Sequence, residues 1–223
     1  MGEMIKFKRP DGKEASGYYA KPGAGDNAPG VVVIQEWWGV NDQIKGVADR
    51  LAGLGYRALV PDLYKGKVTL DMAEADHMMK SLDFADASTQ DIRGAAQYLK
   101  QAGQKVGVIG FCMGGALTVL ASVYVREVDA ASCWYGVPPE QAADARTIAI
   151  PFQGHFARQD QVFVPSQVEA FEARLKEGKV KYEIYWYDAN HAFGNEKGHF
   201  YNAEAANLAW QRSADFFGKH LGG

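Results

Sequence analysis

The chain opens with a polar–apolar alternation and then abandons it. Lys6-Phe7-Lys8-Arg9-Pro10-Asp11-Gly12-Lys13-Glu14 reads as a strand, a Pro-Asp-Gly turn and a second strand ending near Tyr19. Val31-Val32-Val33-Ile34 follows with no polar position, as in a parallel strand buried on both faces. From there apolar runs alternate with helical spacing. Ile44, Val47, Ala48 and Leu51 lie at i, i+3, i+4 and i+7, one face of a helix that stops near Gly53 and Gly55. Ala58-Leu59-Val60 is the next strand, closed by Pro61-Asp62. A helix is predicted to start near Ser88, where Ser88-x-x-Asp91 has the form of a capping box, and to carry Ile92, Ala95, Ala96 and Leu99 inward.

The second half repeats the alternation. Strands are predicted from Lys105 to Ile109, from Val128 to Tyr135, and from Ile148 through Phe152 to Gly154. A helix follows the first of these from Ala116 to Val123. Pro165, a favoured first-turn residue, opens another that carries Val168, Phe171 and Leu175. Val180 to Tyr187 is the last strand, and Ala203 to His220 the last helix. The stretch from Pro22 to Gly30 is a turn-rich connector, too short to separate domains. The expected fold is one α/β domain over residues 1–223: a mostly parallel, doubly wound sheet preceded by an antiparallel hairpin.

Composition narrows the function. Apolar residues make up 47% and charged residues 23%, and the formal net charge of −3 lacks the basic excess of a nucleic-acid binder. No apolar run approaches the ~20 residues of a membrane span, and Met1 to Lys8 lacks the apolar stretch of a secretory leader. The two cysteines, Cys112 and Cys133, are too few for a disulfide scaffold, and Cys133 sits in a core strand as a small packed hydrophobe. The expectation is a cytoplasmic protein with reduced thiols, a monomer or weak homo-oligomer, with a small-molecule partner and neither nucleic acid nor membrane. His77, His155, His199 and His220 form no metal-ligand spacing, and no Gly-rich phosphate loop follows a strand, so neither metal nor cofactor is expected.

In a parallel sheet, chemistry collects at the carboxyl ends of the strands. Gly110-Phe111-Cys112-Met113-Gly114-Gly115 lies between a strand and a helix, the layout of a nucleophile elbow with cysteine in the usual serine position. The helix start would favour thiolate, although Cys112 also reads as a buried cysteine beside a Gly-rich helix start. Asp160 and His191 each follow a strand, and nucleophile, acid, histidine is the chain order of an α/β-hydrolase triad. His191 would take the thiol proton and Asp160 would orient the imidazole. Taken alone, Asp160 reads as a cap for the helix at Pro165, and His191 as a loop histidine bonded to backbone. Met113 and Trp37 are the natural backbone donors of an oxyanion hole. Glu36 beside a thiolate would oppose ionisation and hold the thiol protonated; its bland reading is a solvent-facing glutamate.

Glu36 with Gly39-Val40-Asn41, Gly55-Tyr56 with Pro61-Asp62-Leu63-Tyr64, the elbow, Tyr135-Gly136-Val137, Gln159-Asp160 and His191-Ala192-Phe193 resemble the dienelactone hydrolase (carboxymethylenebutenolidase) family across nearly the whole chain. The resemblance implies a compact α/β-hydrolase without a large cap, a Cys-His-Asp triad, and a glutamate that controls the thiol. It also implies two arginines for the dienelactone carboxylate, one after the Tyr64 strand end and one after the triad histidine. Here no arginine occurs between Arg57 and Arg93, and Asn195 stands where the second would fall. Asparagine does not replace a bidentate arginine clamp; Lys65, Lys67 or Lys197 would be weaker guides. Trp37, Trp38, Tyr64, Phe111, Tyr135 and Phe193 would line an aromatic pocket, with core packing expected for at least half of them. The reading is a carboxylic-ester or lactone hydrolase whose substrate need not be dienelactone. The alternative is a non-catalytic ligand-binding or redox-sensing protein that uses Cys112 as an oxidisable thiol.

Overall fold

The computed structural model describes residues 2–23, 27–101 and 104–222; positions 24–26 of the predicted connector lie outside the described residues. Eight strands form one sheet in the order β1-β2-β4-β3-β5-β6-β7-β8. β1 (Glu3–Lys8) and β2 (Glu14–Ala20) are the expected antiparallel hairpin, and β2 pairs antiparallel with β4 (Arg57–Pro61). From β4 onward the pairing is parallel, through β3 (Gly30–Ile34), β5 (Val106–Phe111), β6 (Ala130–Trp134), β7 (Phe152–Ala157) and β8 (Tyr182–Tyr187).

The unbroken apolar run of β3 has a direct cause. Its side chains alternate between two separate cores: Val32 and Ile34 enter one, Val31 and Val33 the other. The first core is covered by α4 (Arg93–Lys100), α5 (Met113–Tyr124) and α6 (Pro165–Glu177) through Leu99, Leu117 and Phe171. The second is covered by α1 (Asp42–Gly53) and α7 (Ala203–Leu221) through Ile44, Leu51 and Phe217. Each such aliphatic or aromatic side chain stabilises the fold by roughly 1.5–3 kcal/mol, so both faces of β3 are apolar. Asn41 starts α1 by accepting the Ile44 N–H with its side chain at 3.1 Å. Among the described residues, no helix is long and apolar enough to cross a membrane.

Two expectations need correcting. Ser88 does not start a helix: α2 (Met72–Ser81) is followed by α3 (Phe84–Asp86), which Asp83 caps, and Ala87–Ile92 continues it as a π-helical turn into α4. The capping-box pattern therefore falls inside a helix, where the Ser88 side chain is fully buried. Ile148-Ala149-Ile150 is not strand either. Ala145–Thr147 forms a single 3-10 turn, and Pro151, which has no N–H to give a ladder, delays β7 to Phe152.

Candidate active site

Cys112 occupies the junction of β5 and α5 with φ +56° and ψ −116°, a backbone state that is unfavourable for a residue with a Cβ, on the order of 1–3 kcal/mol. Its N–H donates to the Trp134 carbonyl at 3.1 Å, and its carbonyl accepts the Ala116 N–H at 3.1 Å, which fixes the bend. A Cβ at Gly110 would collide with the Gly114 carbonyl, and one at Gly114 with the Ile34 carbonyl. Both glycines are thus demanded by close backbone approach, and the turn lifts the sulfur clear of the sheet. Among the described residues five non-glycine positions have positive φ, and Cys112, Tyr135 and Ala192 are three of them. Strain is concentrated around this sulfur.

The sulfur faces the loops after β7 and β8. His191 Nε2 lies 3.2 Å from Cys112 Sγ, and His191 Nδ1 lies 2.8 Å from Asp160 Oδ2. The Asp160 side chain is 2% exposed and that of His191 16%, so the acid is covered while the imidazole reaches solvent. Asp160 Oδ1 accepts the N–H groups of Val162 at 2.7 Å and Phe163 at 2.9 Å. One oxygen therefore holds the turn before α6, and the other holds the histidine. As a carboxylate, Asp160 only accepts, so Nδ1 carries the proton and Nε2 is free to accept from sulfur.

Electrostatics keeps that sulfur protonated. Burial pushes the Cys112 thiol strongly up, the Glu36 charge adds to it, the Met113 N–H opposes, and Asp160 raises it further. The helix start at Cys112 was expected to favour thiolate; burial and two carboxylates outweigh it. Glu36, directly after β3, is buried rather than solvent-facing. Burial raises its pKa, while donors from Asn195, Tyr135 and Trp38, together with nearby His191, pull the other way. Asn195 Nδ2 donates to Oε2 at 2.7 Å and the Tyr135 hydroxyl to Oε1 at 3.4 Å. All three side-chain partners donate, an environment built for an acceptor and hence for the carboxylate.

The remaining expected residues divide. Met113 N–H, the first of α5, has no intrahelical acceptor and points at the sulfur side of the turn. Trp37 and Trp38 are half-buried and pack edge to face at 5.1 Å. The Tyr64 hydroxyl meets Met113 Sδ at 3.3 Å, which places Tyr64 beside the elbow. Phe111, Tyr135 and Phe193 are 2%, 0% and 0% exposed and cluster around Trp134 within the core. They pack behind the site, and Phe111 also edges a cavity that Trp134, Gly194 and Trp210 share. Asn195 is likewise buried: its amide serves Glu36, and its carbonyl accepts the Lys197 N–H at 3.0 Å. Sequence reasoning missed Phe163, whose ring centroid lies 5.7 Å from that of His191, and the Trp134 carbonyl that pins the elbow. Only position after Asp160 and at a strand end could have pointed to them.

His155 packs and hydrogen-bonds inside the core: its ring nitrogens meet Tyr187 and Gln153 at 2.8 Å. Among the described residues, no group of three or more His, Cys, Asp or Glu side chains is arranged to hold a metal ion.

Comparison with known proteins agrees in scope with the geometry. The family model described as "Dienelactone hydrolase family" matches residues 15–221. The chain is 32% identical to "Protein usf" of Aquifex pyrophilus, covering 99% of this chain and 100% of that protein. It is 31% identical to the "Putative carboxymethylenebutenolidase" of Aquifex aeolicus, over 99% and 100% of the two chains. Among solved structures, "Putative Dienelactone Hydrolase from Klebsiella pneumoniae" superposes with a TM-score of 0.87 at 26% identity, covering 99% of this chain and 100% of that one.

Proposed function

The chain belongs to the dienelactone hydrolase family, and from that premise we propose that it is a cofactor-free cysteine hydrolase of carboxylic esters or lactones acting through an acyl-enzyme. The observation that carries this reading is the hydrogen-bonded series Cys112 Sγ, His191, Asp160. Substrate approach lets the thiol proton pass to His191 Nε2 as sulfur attacks the carbonyl carbon, so no isolated thiolate has to be maintained at rest. The N–H groups of Met113 and Trp37 receive the oxyanion. Collapse of the tetrahedral intermediate expels the alcohol oxygen, which takes the proton from His191 and leaves a thioester on Cys112. His191 then removes a proton from water, the resulting hydroxide adds to the thioester, and the sulfur leaves with that proton as the acid departs. Asp160 faces the Nδ1–H throughout and stabilises the imidazolium.

Glu36 fits the role of a brake. Its charge beside the sulfur opposes ionisation until the substrate carbonyl is in place, which limits unproductive alkylation and oxidation. The same feature argues against a redox sensor, since a sensor thiol reacts as thiolate. The lost arginine positions, with Asn195 committed to Glu36, favour a substrate other than dienelactone.

The test is a panel of esters and lactones, including cis- and trans-dienelactone, with p-nitrophenyl acetate as the reporter. Cys112→Ala and His191→Ala are each expected to lose on the order of 10³-fold or more in kcat/KM. Full activity in Cys112→Ala would end the proposal. Selective oxidation of Cys112 by peroxide without turnover of any ester would favour the sensor.

A further inference from the structure

A groove of about 380 Å³ lies along α6, with Phe163 of its wall standing beside the triad histidine. Val137, Pro139 and Phe163 give it apolar walls, and the Phe163 ring stands 5.7 Å from the His191 ring at its near end. Gln167 and Arg174 project into it from α6, so the groove follows one face of that helix. Arg174 stands at its far end and is loosely held, by Glu140 and by the nearby charge of Asp144. Its side chain is 18% exposed, and its Nε–H is buried without a partner. Among the described residues its side chain makes one hydrogen bond, from Nη1 to Glu140 Oε2, long at 3.4 Å, and the Glu140 side chain is 53% exposed. A largely covered guanidinium with most of its donors unpaired, at one end of a partly apolar groove, has the chemistry of a carboxylate receptor.

Resting on the hydrolase reading, we propose that this groove binds the alcohol arm of an ester substrate, an apolar chain ending in a carboxylate that Arg174 holds. The choice of arm follows from proton transfer. The leaving oxygen must come within reach of His191 Nε2 to be protonated, so the chain attached to it lies on the His191 side, where the groove begins. Gln167 and Arg174 are seven residues apart, about 10 Å along the axis at 1.5 Å per residue, and the chain must first pass Phe163, so it needs roughly eight carbons or more. The incoming carboxylate displaces the loosely held Glu140 and leaves that side chain in solvent. Arg174 thereby supplies, from another element, the anion recognition that the missing arginines cannot.

The experiment compares 8-acetoxyoctanoate with octyl acetate in wild type, Arg174→Gln and Arg174→Lys, following acetate release. The ratio of kcat/KM for the acid to that for the neutral ester is expected to fall at least tenfold in Arg174→Gln and less in Arg174→Lys. A ratio cancels any general loss of folded protein, and thermal melting of both variants checks folding directly. Calorimetric binding of 8-hydroxyoctanoate runs in parallel and needs no turnover. It is expected to weaken at least tenfold in Arg174→Gln, with octanol showing no such change. An unchanged ratio together with unchanged 8-hydroxyoctanoate affinity overturns the proposal. Arg174-dependent binding with no hydrolysis of any ester upholds the groove and rejects the hydrolase; hydrolysis with no Arg174 dependence does the reverse.

Discussion

Replacing Asp160 with asparagine changes one atom of the side chain and should nearly silence the site. Oδ1 of Asp160 is claimed by the N–H groups of Val162 and Phe163, at 2.7 and 2.9 Å. In Asp160→Asn the amide carbonyl must stay on those two donors, so the NH2 group turns toward His191 Nδ1. The opposite rotamer would leave two backbone N–H groups facing an NH2, at about 1–3 kcal/mol each, which biases the amide by a factor on the order of 10² or more. With a donor at Nδ1, His191 must accept there and carry its own proton on Nε2, 3.2 Å from the sulfur. It can then no longer take the thiol proton. The charge that stabilises the imidazolium is lost as well, and together these effects set an expected loss of roughly 10³–10⁴ in kcat/KM, or about 4–5.5 kcal/mol. The assay is p-nitrophenyl acetate hydrolysis near pH 7.5, with circular dichroism to confirm the fold. Retention of more than about a tenth of wild-type kcat/KM would refute the assigned tautomer.

Two further predictions follow from buried titratable groups. Glu36→Gln removes the second-largest influence that raises the Cys112 thiol pKa, so iodoacetamide alkylation at pH 7.5 should quicken, about tenfold for each unit by which the thiol pKa falls; an unchanged rate removes Glu36 from the control of the thiol. His155 is held neutral in the core, with burial foremost and Arg212 second pushing its pKa down to about 3. The unfolded chain binds a proton there below about pH 6.5 while the folded chain does not, so stability is fully present above that pH and declines as pH falls toward 3. The slope from this one residue is about 1.4 kcal/mol per pH unit. Urea denaturation between pH 7 and 4 should show that slope flattened by one proton in His155→Gln, and identical slopes would contradict the assignment.

The alternation of apolar runs and helical spacings exposed the sheet, because β3 and β5 are buried on both faces and such strands have no polar positions to confuse the pattern. It failed where one local signal has two uses. Ser88-x-x-Asp91 has the spacing of a helix start but is buried inside a π-helical turn, and the real start is carried by Asp83, five residues before Ser88. Cys112, Asp160 and His191 were legible because strand ends and chain order restrict them together. The aromatic residues were not, since a phenylalanine filling a core and one lining a cleft look alike in sequence. Phe111 and Phe193 proved to be core, while Phe163, beside His191, drew no notice. Asn195 was conspicuous as a missing arginine, yet its work with Glu36 depends on a contact across 159 positions that spacing cannot show.

The loop after β8 carries both His191, which meets the sulfur, and Asn195, which grips Glu36. On the proposed mechanism, base and brake thus hang from a single loop, and a displacement that misaligns one also releases the other. Mutational drift in this loop is penalised twice, in turnover and in protection of the thiol. Under that mechanism substrate range is freer to diversify along α6, where a side chain such as Gln167 or Arg174 can change without touching either control.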